Sequence, residues 1–176
     1  MPRKHVALVG IALTSLALGG IALAQDKYSV RPTGGGLAFT EFKGFEHWET
    51  VAVSHAGDMI EVILGNPTII KAYQSGVPGN GKDFPDGSKL AKIHWMAKQS
   101  AEAPSATTVP GALHDIDLMA RDSKRFRDTG NWGYTQYNYD PAQATFTALE
   151  PGSKCGFACH TTVASKDYVF TAYGPR

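Results

Sequence analysis

The sequence predicts an α+β domain, an antiparallel β-sheet with a few short helices. Three observations carry this. Short β-prone runs follow one another with turn residues between them, helical stretches do not alternate regularly with them as a parallel sheet requires, and Gly34-Gly35-Gly36 lacks the Lys-Ser or Lys-Thr pair and helix of a nucleotide-binding loop. A chain of 176 residues, 43% hydrophobic and 19% charged, suits one globular domain. With 17 basic against 16 acidic side chains it offers no basic surface for nucleic acid and no acidic tail.

The N-terminus reads as an export signal over residues 1–24. Pro-Arg-Lys-His at 2–5 is basic, Val6 to Leu18 is almost uninterruptedly apolar, and Ala22-Leu23-Ala24 supplies the small residues at which a signal peptidase cuts. Removing Arg3 and Lys4 leaves 15 basic and 16 acidic residues, and no later apolar run is long enough to span a bilayer. The expectation is a periplasmic protein with no membrane span after cleavage, in a compartment that permits disulfides and covalently attached cofactors. Residues 25–45 form an N-terminal arm ahead of a main domain over 46–176. Its Gln25 to Gly36 portion is a flexible lead-in ending in the glycine triplet.

Phe42, Phe45 and Trp48 suggest a helical turn, followed by strands at Thr50 to Ser54 and Met59 to Leu64 around the turn Ala56-Gly57-Asp58. Asn66-Pro67 starts a short helix, because Asn caps free N–H groups and Pro suits the first helical position; Ile69, Ile70 and Tyr73 give its buried stripe and Gly76 can end it. Four Gly and two Pro within Gly76 to Gly87 mark a loop. Ser88 to Lys98 alternates as a strand, with Leu90, Lys92, His94 and Met96 on one face. Ala101 to Gly111 reads as a loop, Leu113 to Ala120 as a strand, and Arg121 to Asp128 as a charged connection. Trp132 to Tyr139, aromatic at 132, 134, 137 and 139, is the clearest strand. Pro141 to Leu149 is compatible with a helix, and Tyr168 to Tyr173 with a last strand.

Both cysteines fall within Cys155-Gly156-Phe157-Ala158-Cys159-His160. A c-type haem needs two thiols for its two vinyl groups and a His directly after the second to ligate iron. The usual spacing is C-x-x-C-H, and here it is one residue longer. A local Cys155-Cys159 disulfide and a Cys-Cys-His metal site remain alternatives, the latter without an evident fourth ligand. If haem c is bound, His160 is the proximal iron ligand, and any distal ligand comes from upstream: Met59, Met96 or Met119, or His47, His55, His94 or His114. An occupied sixth position makes an electron carrier, an open one a site for small ligands or catalysis. Lys92, on a face with Leu90 and Met96, either snorkels to solvent or is directed at something specific.

The order Phe84-Pro85-Asp86-Gly87, Lys92, Asp122-Ser123-Lys124-Arg125-Phe126, Gly130-Asn131-Trp132, Cys155 to His160 and Asp167-Tyr168-Val169-Phe170 resembles the cytochrome P460 family, whose superfamily includes cytochrome c′-β. The resemblance runs from about Trp48 to Tyr173. It implies a mono-haem antiparallel β-sheet domain, a periplasmic homodimer, with His160 proximal and Cys155 and Cys159 holding the haem. It also implies oxidation of hydroxylamine at a five-coordinate haem cross-linked to Lys92, with electrons passing to a redox partner protein. Such enzymes use a distal carboxylate to move protons. Thr161, Thr162 and Val163 supply none, which leaves Asp117 or Asp115, although strand aspartates are ordinarily solvated. Without such an acid the site suits nitric oxide or carbon monoxide binding without turnover, as in cytochrome c′-β.

Overall fold

The computed structural model describes residues 26–149 and 152–175; the export signal assigned to 1–24 lies outside the described residues, as does the side chain of Cys155. Six strands form one sheet in the order β1-β2-β3-β4-β5-β6, every neighbouring pair antiparallel. They are β1 (Glu49–Ala56), β2 (Met59–Gly65), β3 (Lys89–Gln99), β4 (Thr108–Arg121), β5 (Trp132–Asp140) and β6 (Thr145–Ala148). Helix α1 (Pro67–Gln74) joins β2 to β3, and α2 (Gly152–His160) follows β6. Among the described residues no helix is long and apolar enough to cross a membrane.

The predicted start of α1 is observed: the Asn66 side chain accepts from Ile69 N–H at 3.1 Å, with Pro67 in the first helical position. Asn66 also accepts from Lys89 N–H and donates to the Gly87 carbonyl, so the cap ties the helix to the start of β3. Ile69, Ile70 and Tyr73 are buried, as the stripe requires.

Because side chains alternate along a strand, the sheet has two faces and each carries a core. One packs Val51, Ile63, Leu90, Met119, Trp132 and Tyr134 against α1, Phe84 and Val169. The other packs Leu64, Ala91, Ile116, Leu118 and Tyr137 against Leu37, Phe39, Phe42 and Phe45 from the segment before β1. Phe39 lies 4.6 Å from Tyr137 and 5.2 Å from Phe146, ring centre to ring centre. Leu37 N–H donates to Thr135 Oγ1, and the Tyr137 hydroxyl donates to the Leu37 carbonyl, both at 2.8 Å. Leu37, Phe39, Phe42 and Phe45 are thus core of the second face.

Three expectations are corrected. Strand β4 begins at Thr108, through Pro110, where a loop was expected. Pro110 faces Ala97, whose own N–H goes to the Asp58 carbonyl on the β2 side at 2.7 Å, so the missing proline donor is not needed there. Residues 141–149 form a turn and β6 rather than a helix. Ala144 takes φ +52°, and Thr145 to Thr147 pair with β5 so that Phe146 packs on Tyr139. Tyr168 to Tyr173 is not a strand: Asp167 and Tyr168 both adopt positive φ, and the tail then crosses the first face, with Thr171 accepting from the Tyr73 hydroxyl.

Phe39 is fully buried among the rings of Tyr28, Phe45, Tyr137 and Phe146. Phe39→Ala is expected to cost about 3–5 kcal/mol of stability in equilibrium urea unfolding.

Candidate functional site

Strand register sets out the first face of the sheet as three rows running across the strands. Leu90, Met119 and Tyr134 form an apolar row. Next to it lies Ile63, Lys92, Asp117 and Gln136, and beyond that Glu61, His94 and Asp115. Helix α2 and the C-terminal tail cover the apolar row and leave a cavity of about 480 Å³, a size suited to a cofactor or small ligand. Ile63, Leu90, Met119, Tyr134, Val169 and Phe170 make it largely apolar, whereas Ser54, Glu61, Lys92 and Asp117 gather in the polar rows.

His160 closes α2 and lines this cavity. The helix approaches β5 closely because residue 156 is glycine: a Cβ there would lie 2.5 Å from Tyr134 Cβ. The imidazole sits between the rings of Tyr134 and Phe170, each 4.9 Å away. Its Nδ1 is 2.6 Å from the Tyr168 carbonyl oxygen, so Nδ1–H donates and Nε2 keeps the lone pair. Burial holds its pKa below the ordinary histidine value, which favours the neutral ring. A neutral His whose other nitrogen is fixed by a carbonyl is the arrangement a metal-ligating imidazole needs. Cys159 is an exposed free thiol that also lines the cavity. Positions 155 and 159 stand four apart on α2, and a helix of about 3.6 residues per turn brings such positions to one face. The longer cysteine spacing is absorbed by the helix without losing that relation.

At the opposite wall Lys92 Nζ is 2.9 Å from Glu61 Oε1, and Ser54 donates to Glu61 Oε2 at 2.5 Å. Burial works to raise the Glu61 carboxyl, but these two partners outweigh it and hold the pKa below the usual range. At Asp117, beside Lys92 across β3 and β4, the balance goes the other way. Burial pushes its carboxyl up to about 6, against the pull of His94 at 4.0 Å and of Lys92. Its side chain keeps 44% of its surface accessible, but that surface opens into the cavity wall. His94 and Asp115 are both buried and hydrogen-bonded to each other, so the expectation of a solvated Asp115 is corrected.

The structure therefore brings Lys92, Asp117, Cys159 and His160 to one cavity. Of the distal ligand candidates only Met119 lines it; Met59, Met96, His47, His55, His94 and His114 do not. Sequence reasoning passed over Glu61, although it is the single charged residue in the apolar run Met59 to Leu64 and falls on the same alternation as Ile63. It also passed over the role of the Tyr168 carbonyl, which no side-chain pattern signals.

The Asp117 carboxyl is expected to titrate near pH 6 in carboxyl-carbon NMR. The folded chain holds this proton more tightly than the unfolded one, whose aspartate titrates near about 4. The stability it contributes is present below that pH and lost as pH rises through about 6, and Asp117→Asn removes the slope.

A family model described as Cytochrome P460 matches residues 42–171. No curated protein matches the chain. The matched span takes in the whole sheet, α2, His160 and the tail residues whose backbone orients it. Membership implies a haem cofactor, and a partly buried imidazole with its Nδ1 fixed by a carbonyl, at the wall of a mostly apolar cavity, fits one. The chain belongs to the cytochrome P460 family.

Proposed function

We propose that this protein is an exported c-type haem protein that oxidises hydroxylamine, or a related small nitrogen compound, at an open iron position. The observation that carries the reading is Asp117: a carboxyl within the cavity, ionised above about pH 6, and therefore able to take a proton at neutral pH. A cavity for binding nitric oxide or carbon monoxide alone would need no such group.

His160 Nε2 would ligate the iron, with Nδ1–H held by the Tyr168 carbonyl so that the ring cannot turn. Cys155 and Cys159 would hold the macrocycle by thioether bonds, and Lys92 would add a further link from the polar wall. When bound, haem supplies the iron that takes electrons from the substrate and passes them to a redox partner protein. The buried apolar residues Leu90, Met119 and Val169 limit water in the cavity. Glu61 presents an acceptor for a small polar substrate, while Asp117 accepts the proton released as the substrate is oxidised. The oxidising compartment expected from the N-terminal sequence is compatible with thioether attachment and with an external electron acceptor.

The test is turnover of hydroxylamine by holoprotein with a dye as electron acceptor, together with mass spectrometry of its haem peptides. The expected outcome is substrate-dependent dye reduction, a haem adduct carrying the peptides of both Cys155 and Lys92, and a loss of about 10²-fold in kcat for Asp117→Asn. Binding of nitric oxide without dye reduction and without the Lys92 adduct would assign gas binding instead.

A further inference from the structure

Beyond the cavity wall, the outermost polar row continues as a line of titratable groups that reaches solvent. Glu61, His94 and Asp115 are successive register partners on β2, β3 and β4. Glu61 lines the cavity, and its Oε1 is 3.4 Å from His94 Nε2. On the other side of the ring, His94 Nδ1–H donates to Asp115 Oδ1. Asp115 Oδ2 accepts in turn from His114 Nδ1–H at 2.6 Å, and the His114 side chain is 50% exposed. Glu61, His94 and Asp115 are all buried.

The last contact needs an explanation, because consecutive residues of a strand point to opposite faces and His114 and Asp115 should not meet. The register supplies it. Pairing steps from His94↔Asp115 to Trp95↔Leu113, so His114 is an extra residue on β4, a β-bulge. A bulge interrupts the ladder and re-aims a side chain. Here it turns an imidazole that would have faced the second core towards the buried carboxylate of the first. A buried row of carboxylates and imidazoles is also a costly way to fill a sheet face that apolar residues would stabilise as well.

We propose that Glu61, His94, Asp115 and His114 form a proton path between the haem cavity and solvent. It rests on the reading above that the cavity carries out proton-coupled redox chemistry. Each member accepts a proton on one side and releases one on the other: an imidazole protonated at Nε2 can give up the proton at Nδ1, and each carboxylate offers two oxygens. The charged groups facing His94 are Glu61 from β2, Asp115 and Asp117 from β4 and Lys92 from its own strand, with Gln136 of β5 reaching Asp115. Burial works against a charged His94, but the hydrogen bond and charge of Asp115 outweigh it and hold its pKa above the ordinary histidine value. These four are positioning and proton-carrying residues rather than haem ligands.

The experiment uses holoprotein in weakly buffered solution, reduced by a flash-generated donor. The haem band reports the arrival of the electron, and a pH dye reports proton uptake. In Asp115→Asn and in His114→Gln, electron arrival is expected to be unchanged and proton uptake slowed about tenfold or more, with the same final number of protons per haem. A merely structural role would not separate these rates. Because His114 is on the surface, its variant decides the matter even where Asp115→Asn does not fold. Uptake in His114→Gln as fast as in the parent overturns the path, and so does reduction of the parent without proton uptake. A protein that shows the slowed uptake but does not oxidise hydroxylamine keeps the path and loses the substrate assignment.

Discussion

The hydrogen bond from His160 Nδ1 to the Tyr168 carbonyl is the contact on which the site depends, because it fixes both the tautomer and the plane of the imidazole. It is held from behind by Asp167. That buried carboxylate accepts from Phe84 N–H at 2.8 Å and pairs with the buried guanidinium of Arg121, which also reaches Asp83. Burial raises the Asp167 carboxyl in spite of these partners, so the cluster is satisfied rather than cheap. Asp167 and Tyr168 both take positive φ, a conformation side-chain-bearing residues rarely adopt. The cost is tolerable because the surroundings over-determine it. Gly130 belongs to the same arrangement: a Cβ there would lie 2.4 Å from the Tyr168 ring.

The separated sequence motifs thus meet in one place. Phe84 supplies a backbone donor, Arg121 before Asp122 supplies a cation stacked 5.8 Å from Trp132, Gly130 leaves room for Tyr168, and Asp167-Tyr168 present the carbonyl. What the motifs share is the orientation of one histidine. The sheet contributes differently. Its register grades the same face from apolar under α2 to polar at Lys92, Asp117 and Glu61, so a single surface offers both a dry wall and a proton acceptor.

Much of this was legible in the residues. Alternation placed Leu90, Lys92 and His94 on one face, Asn66-Pro67 marked the helix start, and the aromatic run at 132–139 marked β5, because each depends on local pattern. The candidate site was half legible. Lys92 and His160 stood out by residue type and setting, whereas Glu61 was hidden by its apolar neighbours, and Asp117 and Asp115 both looked like solvated strand aspartates until the cavity and the contacts of His94 and His114 placed them. The errors arose where tertiary contacts override pattern. Phe146 is drawn into β6 by Tyr139 and Phe39, and Tyr168 to Tyr173 are kept from pairing by two positive-φ residues and by the pull of Asp167 towards Phe84.

The central claim is that His160 binds iron on one side while the chain leaves the other side open. Met119 is the only sequence-nominated distal ligand that lines the cavity, and it is buried in the apolar row between Leu90 and Tyr134. Electron paramagnetic resonance of the ferric holoprotein tests the claim most directly. The account predicts a high-spin signal from five-coordinate iron, abolished or displaced in His160→Ala. A low-spin signal from six-coordinate iron, with a side chain of this protein as the sixth ligand, would contradict it.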